Sequence, residues 1–188
     1  MQLNILFLSP NIPDSFSRIR ALNIIKALSK KHSLHLITFI EREGEKKKIG
    51  DIKKYFKNIE TVKLPKWKSY FNCAVNLVSL SQKPFRVSYF HSKKMHEKVA
   101  EIIERENIDL IYAKRKRMAQ YAENLSGVKK VLDLTDCMAL LYQRSLKIIP
   151  LPQFPLYWLE SKKLAFYEPR IAEKFDRVFV CSKLDKFA

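Results

Sequence analysis

Glycine is scarce in this chain, which has 188 residues with 3 glycines against 8 prolines. That scarcity excludes collagen-like and glycine-rich low-complexity chains. No glycine occurs before Gly44, so the first loop carries neither the G-x-G-x-x-G of dinucleotide-binding folds nor a P-loop. The sequence therefore disfavours a nicotinamide or flavin dehydrogenase and a P-loop nucleotidase.

Cysteine and histidine are also few. The three cysteines, Cys73, Cys137 and Cys181, are far apart and odd in number, which argues against a disulfide framework or a zinc ribbon. Among the 4 histidines, His91 and His96 are five residues apart, one more than the i, i+4 spacing of helical metal ligands. We therefore expect no metal site and no cofactor.

Long apolar runs are missing as well. The first run ends at Ser9 and Pro10, and the run over 71–80 is interrupted by Asn72 and Asn76. Both are too short for a signal peptide or a membrane span. The sequence predicts a soluble, cytoplasmic protein.

Acidic residues are outnumbered, with 19 Asp and Glu against 36 Lys and Arg, and the net charge is +17. Such an excess predicts attraction to phosphorylated ligands, anionic lipid surfaces or nucleic acid. No RNA- or DNA-binding motif accompanies the charge, so nucleic acid is not an expected partner. A basic RNA-binding α/β protein is kept as an alternative.

Apolar runs of strand length alternate with helical periodicity along the chain, which favours an α/β fold. The expected architecture is a three-layer, doubly wound parallel sheet, Rossmann-like, and residues 1–188 are expected to form one domain. Strands are predicted over 3–8, 33–40, 59–64, 108–113, 128–134 and 177–181. Helices are predicted over 18–30, 45–57, 70–81, 92–106, 115–124, 139–146 and 156–174, with a loop over 151–155.

Ligands of open parallel sheets bind at the carboxyl ends of the strands. The loop after the first predicted strand leads into a helix that carries Arg18 and Arg20, and a helix N-terminus favours an anion. The alternative is that both arginines only extend from a helix face. Lys114 and Arg115 follow the fourth predicted strand, and Asp136 follows the fifth. Asp136 suits either an acid–base role or a helix N-cap.

Basic residues are concentrated in two places. Ten Lys or Arg lie between 42 and 68, next to Trp67, Tyr70 and Phe71, and residues 114–117 form an unbroken run. A basic segment with aromatic flanks suits attachment to an anionic membrane surface, on the inner face of the membrane. The alternative is an ordinary solvated helix surface.

Four blocks, in order, resemble a known family. Residues 9–20 (SPNIPDSFSRIR), followed by a helix and by 32–39 (HSLHLITF), look like the start of a family 4 glycosyltransferase. The other blocks are 117–121 (RMAQY), 131–140 (VLDLTDCMAL) and 167–182. More closely, they resemble the sugar transferases of exopolysaccharide and PEP-CTERM systems, and the likeness spans essentially the whole chain.

The resemblance implies the N-terminal, acceptor-binding half of a GT-B fold, with the donor-binding domain beyond Ala188. The whole enzyme would be a retaining, metal-independent hexosyltransferase that uses a nucleotide-sugar and a lipid-linked or polysaccharide acceptor. Asp136 would be catalytic, and the substrate-binding residues would be Ser17, Arg18, Arg20, Lys114 and Arg115. Alone, the chain would be inactive. The alternative is a non-catalytic subunit that docks a separate donor-domain chain or an anionic membrane surface.

Overall fold

Six parallel strands form one sheet at the centre of the molecule. The computed structural model describes residues 2–13 and 19–182. The strands are β1 (Asn4–Ser9), β2 (Ser33–Ile40), β3 (Asn58–Lys63), β4 (Leu110–Lys114), β5 (Lys129–Thr135) and β6 (Arg177–Val180). They are ordered β3-β2-β1-β4-β5-β6. The chain thus builds outward from β1 to β3 and then returns to place β4 on the other side of β1.

The helices connect these strands. They are α1 (Ile19–Leu28), α2 (Ile49–Ile52), α3 (Lys66–Val78), α4 (Phe85–Tyr89), α5 (Lys93–Glu106), α6 (Lys116–Ala119), α7 (Met138–Ser145) and α8 (Phe154–Ala172). Two 3₁₀ segments, Glu43–Lys48 and Lys53–Tyr55, flank α2. Among the residues that the structure describes, no helix is long and apolar enough to cross a membrane.

Hydrophobic cores lie on both faces of the sheet. Successive side chains of a strand point to opposite faces, so Leu6 and Leu8 join one core while Ile5 and Phe7 join the other. The first core is covered by residues of α4, α5, α6 and α8, and we call this side the α8 face. The second is covered by α1 and α2, and we call it the α1 face. The predicted three-layer α/β fold is confirmed.

Two predicted helices are shorter in the structure. Residues 45–57 contain only the single turn of α2 between two 3₁₀ segments, and Ile52 is the buried residue of α2. The 3₁₀ segment Glu43–Lys48 has no buried residue, so packing does not stabilise a longer helix there. Residues 115–124 contain only the four residues of α6, followed by turns.

Two other differences concern helix starts. The predicted loop over 151–155 is wrong at its end, because α8 begins at Phe154 with Pro155 in its first turn. Proline is tolerated there since its missing N–H would have no intrahelical partner. Helix α4 has no predicted counterpart; it follows Pro84, and Val87 and Ser88 are its buried residues.

The reversal of strand order between β1 and β4 determines where a ligand can bind. At such a point the loops after neighbouring strands leave in opposite directions and open a crevice at the carboxyl edge of the sheet. The loops after β1, β4 and β5 all start at this edge because the strands are parallel. The candidate site is therefore sought there.

Candidate functional site

The carboxyl edge brings together predicted residues from three separate stretches. Arg20, at the start of α1, donates from Nη1 to Thr135 Oγ1 at 3.3 Å. Arg115 follows β4, and Asp136 follows β5. Ser17 and Arg18, which were also predicted to bind substrate, lie outside the described residues. For the residues that are described, the prediction of one shared edge is confirmed.

Asp133 anchors Arg20 at this edge. The distance from Arg20 Nη2 to Asp133 Oδ1 is 3.0 Å, and the Asp133 side chain is 2% exposed whereas that of Arg20 is 43% exposed. Arg20 also lies 3.3 Å from the Cys181 sulfur. A charge-assisted hydrogen bond to a buried carboxylate fixes the guanidinium more firmly than a solvated ion pair would. One edge of Arg20 is thus held while the side chain still reaches solvent.

Tyr112 completes the surroundings of this carboxylate. Its hydroxyl donates to Asp133 Oδ2 at 2.9 Å. Burial, with the negative charge of Asp133, raises the pKa of Tyr112 well above its ordinary value, so the hydroxyl keeps its proton. Tyr112 belongs to the core of the α1 face, and strand alternation places Asp133 on that face too.

An open pocket lies beside Arg20, and we call it the rim pocket. It contains about 430 Å³ of space, part of it open to solvent. Its lining residues are Arg86, Arg115, Lys116, Arg117, Leu134, Thr135, Asp136 and Met138. Among these, four are cationic and one is acidic. The pocket therefore has a positive wall with a carboxylate next to it.

Two pocket residues have strained backbones. Arg115 has φ 65° and ψ 152°, a region that is essentially restricted to glycine. Thr135 has φ 69°, and its neighbours close a tight turn in which the Asp136 N–H donates to Leu134 O at 2.9 Å. Positive φ is rare for a β-branched residue. Strain of this kind concentrates at binding and catalytic sites, and here it occurs at adjacent strand ends.

One of the lining residues, Lys116, belongs to a buried ion pair. Lys116 and Glu168 form a salt bridge, and each side chain is 7% exposed. Burial lowers the pKa of Lys116, while the negative charge of Glu168 acts in the opposite direction. Because Glu168 neutralises Lys116, the net positive charge offered to a ligand comes from Arg86, Arg115 and Arg117.

Glu168 also caps the helix that follows Asp136. Its carboxylate accepts the backbone N–H of Met138 at 3.2 Å and that of Ala139 at 3.0 Å, so it caps α7. Cys137 occupies the N-cap position of α7 and makes no side-chain capping bond. The alternative that Asp136 is the helix N-cap is therefore wrong. Asp136 is exposed at the pocket.

Sequence reasoning did not single out Arg86 or Arg117. Buried Glu160 accepts the backbone N–H of Phe85 at 2.7 Å and of Arg86 at 3.3 Å, which fixes the start of α4. Arg117 lies 4.8 Å from the centre of the Phe90 ring, a cation–π distance. Both arginines reach the pocket through contacts between α4, α6 and α8, and their sequence neighbours give no sign of this.

Lys114 and Asp133 differ from their sequence interpretation. Lys114 is buried, at 7% exposed, and is not among the pocket-lining residues, so its contact with substrate stays a prediction. Asp133 lies in the block 131–140 that resembles the family, but it is not among the predicted site residues. The signal was present, because a carboxylate inside the apolar run of β5 needs a partner when it is buried.

Cations and a carboxylate in one pocket suit an anionic ligand with hydroxyl groups. The arginines can donate to phosphate or carboxylate oxygens, often in pairs. Asp136 can accept a hydrogen bond from a hydroxyl or take its proton. Within the described residues, no group of three or more His, Cys, Asp or Glu is placed to hold a metal ion.

Comparisons with known proteins find a likeness in structure but not in sequence. No family model matches the chain, and no curated protein does. A crystal structure from Listeria monocytogenes, provisionally described as a UDP-N-acetylglucosamine 2-epimerase, superposes with a TM-score of 0.56 at 8% identity. The match covers 100% of this chain and 41% of that one. The likeness shows that the chain has a Rossmann-like α/β fold of the kind found in that protein.

Proposed function

We propose that this chain is the acceptor-binding half of a glycosyltransferase and that the rim pocket holds the charged part of a sugar-bearing acceptor. The observation that carries the proposal is the pocket itself, in which Arg86, Arg115 and Arg117 surround a space next to exposed Asp136. It lies at the carboxyl edge, where open α/β sheets bind their ligands. A sugar phosphate offers an anion to the arginines and hydroxyls to the carboxylate.

Each residue has a distinct role in this proposal. The three arginines bind acceptor phosphate oxygens, and Asp136 orients or deprotonates the hydroxyl that attacks the donor sugar. Arg20 stabilises negative charge that develops on the leaving diphosphate. Asp133 offsets part of its charge but holds the guanidinium in place at 3.0 Å, and Arg20, 43% exposed, can still donate hydrogen bonds to the diphosphate.

Two lines of support concern sugar nucleotides. The four sequence blocks resemble sugar transferases, and the structural neighbour is described as acting on a UDP-sugar.

In our proposal the nucleotide-sugar donor binds to a second domain, and residues 1–188 fold as one domain. The chain alone then binds acceptor but transfers nothing, because the donor is not positioned. A single cooperative urea transition of the isolated chain would support the one-domain assignment.

Calorimetric titration tests the binding proposal. The probes are glucose 1-phosphate and a short-chain polyprenyl diphosphate sugar, with maltose as the neutral comparison. We expect both phosphorylated probes to bind and Arg115→Gln/Arg117→Gln to weaken them by about tenfold or more. The matched control is Lys57→Gln/Lys129→Gln, which removes the same charge at two exposed positions, at the amino ends of β3 and β5. Equal binding of maltose, or an equal loss in the control, would refute the proposal.

Transfer assays separate the enzyme from a non-catalytic binding subunit. Together with a nucleotide-sugar-binding domain, the wild-type chain should support hexose transfer, and Asp136→Asn should lower the rate about a hundredfold or more while leaving acceptor affinity within about twofold. Unchanged transfer in Asp136→Asn would remove its catalytic role. If the chain binds acceptor but supports no transfer with any nucleotide-sugar-binding domain, the non-catalytic subunit would be favoured.

A further inference from the structure

Helix α3 has its polar side inward and its apolar side outward. Its buried residues are Ser69 and Asn76, both polar. Its large apolar residues face solvent, with Trp67 71%, Tyr70 64%, Phe71 62%, Leu77 50% and Val78 84% exposed. An amphipathic helix of a globular protein normally does the reverse. A cluster of large, exposed apolar side chains is typical of an interaction surface.

Specific hydrogen bonds hold α3 in this orientation. The Asn76 side-chain amide donates to Lys83 O at 2.9 Å and to Ser88 Oγ at 2.7 Å. The Asn76 side-chain oxygen accepts a hydrogen bond from the ammonium of Lys163. These contacts join α3 to α4 and α8 through buried polar groups. The outward position of the apolar side is therefore specified by the fold.

A second set of exposed apolar residues lies around the start of α8. It consists of Ile148, Leu151, Phe154, Leu156 and Trp158, between 38% and 86% exposed. Here too the polar side is turned inward, since Glu160 is buried against α4. Helices α4 and α8 cover the same face of the sheet, and α3 is bonded to both. The two sets thus belong to one helical layer, and we call them together the α3/α8 surface.

The charge around this surface is mostly positive. Residues 61–96 contain seven Lys or Arg and no Asp or Glu. Residues 137–159 contain Arg144 and Lys147 and again no acidic residue. Two acidic side chains approach this border: a carboxylate oxygen of Glu41 lies 3.9 Å from Lys66 Nζ, and one of Glu43 lies 3.9 Å from Lys63 Nζ. The exposed apolar groups are therefore bordered by cations.

We propose that the α3/α8 surface docks this chain on an anionic lipid bilayer, with its aromatic side chains at the headgroup level and its lysines against anionic lipids. Charge complementarity selects this occupant, because each lysine near an anionic leaflet strengthens association about fivefold. Tryptophan and tyrosine suit the interface since one end of each ring is apolar and the other polar. The docking would bring the chain to where lipid-linked molecules are found, but it does not depend on what the rim pocket binds.

Tryptophan fluorescence can report on this docking. Its 2 tryptophans, Trp67 and Trp158, both belong to the α3/α8 surface. The full chain is mixed with vesicles of phosphatidylcholine alone or with 30% phosphatidylglycerol, and binding is followed by flotation and by tryptophan emission. We expect at least about tenfold tighter binding to the anionic vesicles, a blue shift of emission, and weakening as salt is raised. Trp158→Phe and Trp67→Phe then show whether both rings enter the bilayer.

Paired variants show whether vesicle binding depends on the α3/α8 surface or only on the net charge of the chain. Lys66→Gln/Lys83→Gln should weaken vesicle binding by about tenfold or more. Lys57→Gln/Lys129→Gln, which removes the same charge at the amino ends of β3 and β5, should change it less than about threefold. Trp67→Ser/Phe71→Ser should abolish binding, whereas Phe179→Ala, on edge strand β6 and 47% exposed, should leave it unchanged. Circular dichroism verifies the fold of each variant.

Three results would overturn the proposal. The first is binding to neutral vesicles as tight as to anionic ones. The second is equal loss in the two lysine pairs, which would assign the effect to net charge. The third is no vesicle binding combined with a dimer in sedimentation velocity that Trp67→Ser/Phe71→Ser dissociates, which would assign the surface to a second copy of this chain.

Discussion

Replacing Arg115 by glycine should make the protein more stable and its pocket weaker. Arg115 has φ 65° and ψ 152°, and a side chain in this region costs about 1–3 kcal/mol. Glycine adopts the conformation freely but loses about 0.5–1 kcal/mol through the greater entropy of the unfolded chain. The Arg115 N–H, which donates to Asp133 O at 2.7 Å, is kept. The net expectation is a rise of about 1 kcal/mol in the free energy of unfolding.

Urea denaturation measures this change, and Arg115→Ala is the matched control. Alanine removes the guanidinium but keeps the strain, so its free energy of unfolding should stay within about 0.5 kcal/mol of the wild type. Both variants should lose affinity for glucose 1-phosphate by about tenfold or more. A less stable Arg115→Gly variant would refute the assignment of strain. Unchanged affinity in both variants would refute the role of Arg115 in the pocket.

Three further predictions concern buried charges. Arg20→Met should lower the free energy of unfolding by about 2 kcal/mol, and adding Asp133→Asn should restore about 1 kcal/mol, because the double variant leaves no charged carboxylate unpaired. Glu168→Gln should cost about 3 kcal/mol, since it leaves the Lys116 ammonium buried without its counter-charge. His35 is 0% exposed, and burial lowers its pKa against the opposing effect of Glu106. Stability should therefore fall as the pH drops below about 6.5, where His35 takes up a proton in the unfolded chain only, and His35→Leu should flatten that part of the profile.

Each of these predictions has a result that contradicts it, with urea denaturation as the assay. Strictly additive effects of Arg20→Met and Asp133→Asn would mean that the two side chains are not coupled. A Glu168→Gln variant as stable as the wild type would mean that Lys116 is solvated. An unchanged acid limb in His35→Leu would assign the pH dependence to other groups.

Much of the fold could be predicted from the sequence because it depends on local patterns. The run over 33–40 predicts β2 with the bounds that the structure shows, because its apolar residues indicate a strand even though His35 and Thr38 are buried within it. The early start of α8 was missed because proline usually signals a loop. Helix α4 was missed because five residues are too few to show a helical period.

The candidate site could be predicted only in part, because its contacts are long-range. Arg20, Arg115 and Asp136 were found from their positions at strand ends. Asp133 was missed as a partner of Arg20, from which it is separated by 113 residues. Lys116 lies in a basic run that the sequence places at a strand end or on a solvated surface, but Glu168, which neutralises it, is 52 residues away. Local sequence patterns do not predict ion pairs between residues so far apart in the chain.

Backbone strain could not be predicted either. Positive φ is expected at glycine, whereas the strained residues here are Arg115 and Thr135. Their conformations are imposed by the sheet, since the Arg115 N–H donates to Asp133 O and the Cys181 N–H donates to Thr135 O at 2.8 Å. Only the assembled sheet supplies these partners.

Mapping of backbone amide shifts shows whether the rim pocket is the binding site. In a titration of the isotope-labelled chain with glucose 1-phosphate, we expect saturable shifts confined to residues 115–117 and 134–138 and to Arg20 and Arg86. Amides at the amino edge, such as those of Leu3 and Asp109, should not move. Shifts spread over the lysine-rich surface without saturation, or centred on the amino edge, would contradict the assignment of the rim pocket as the binding site.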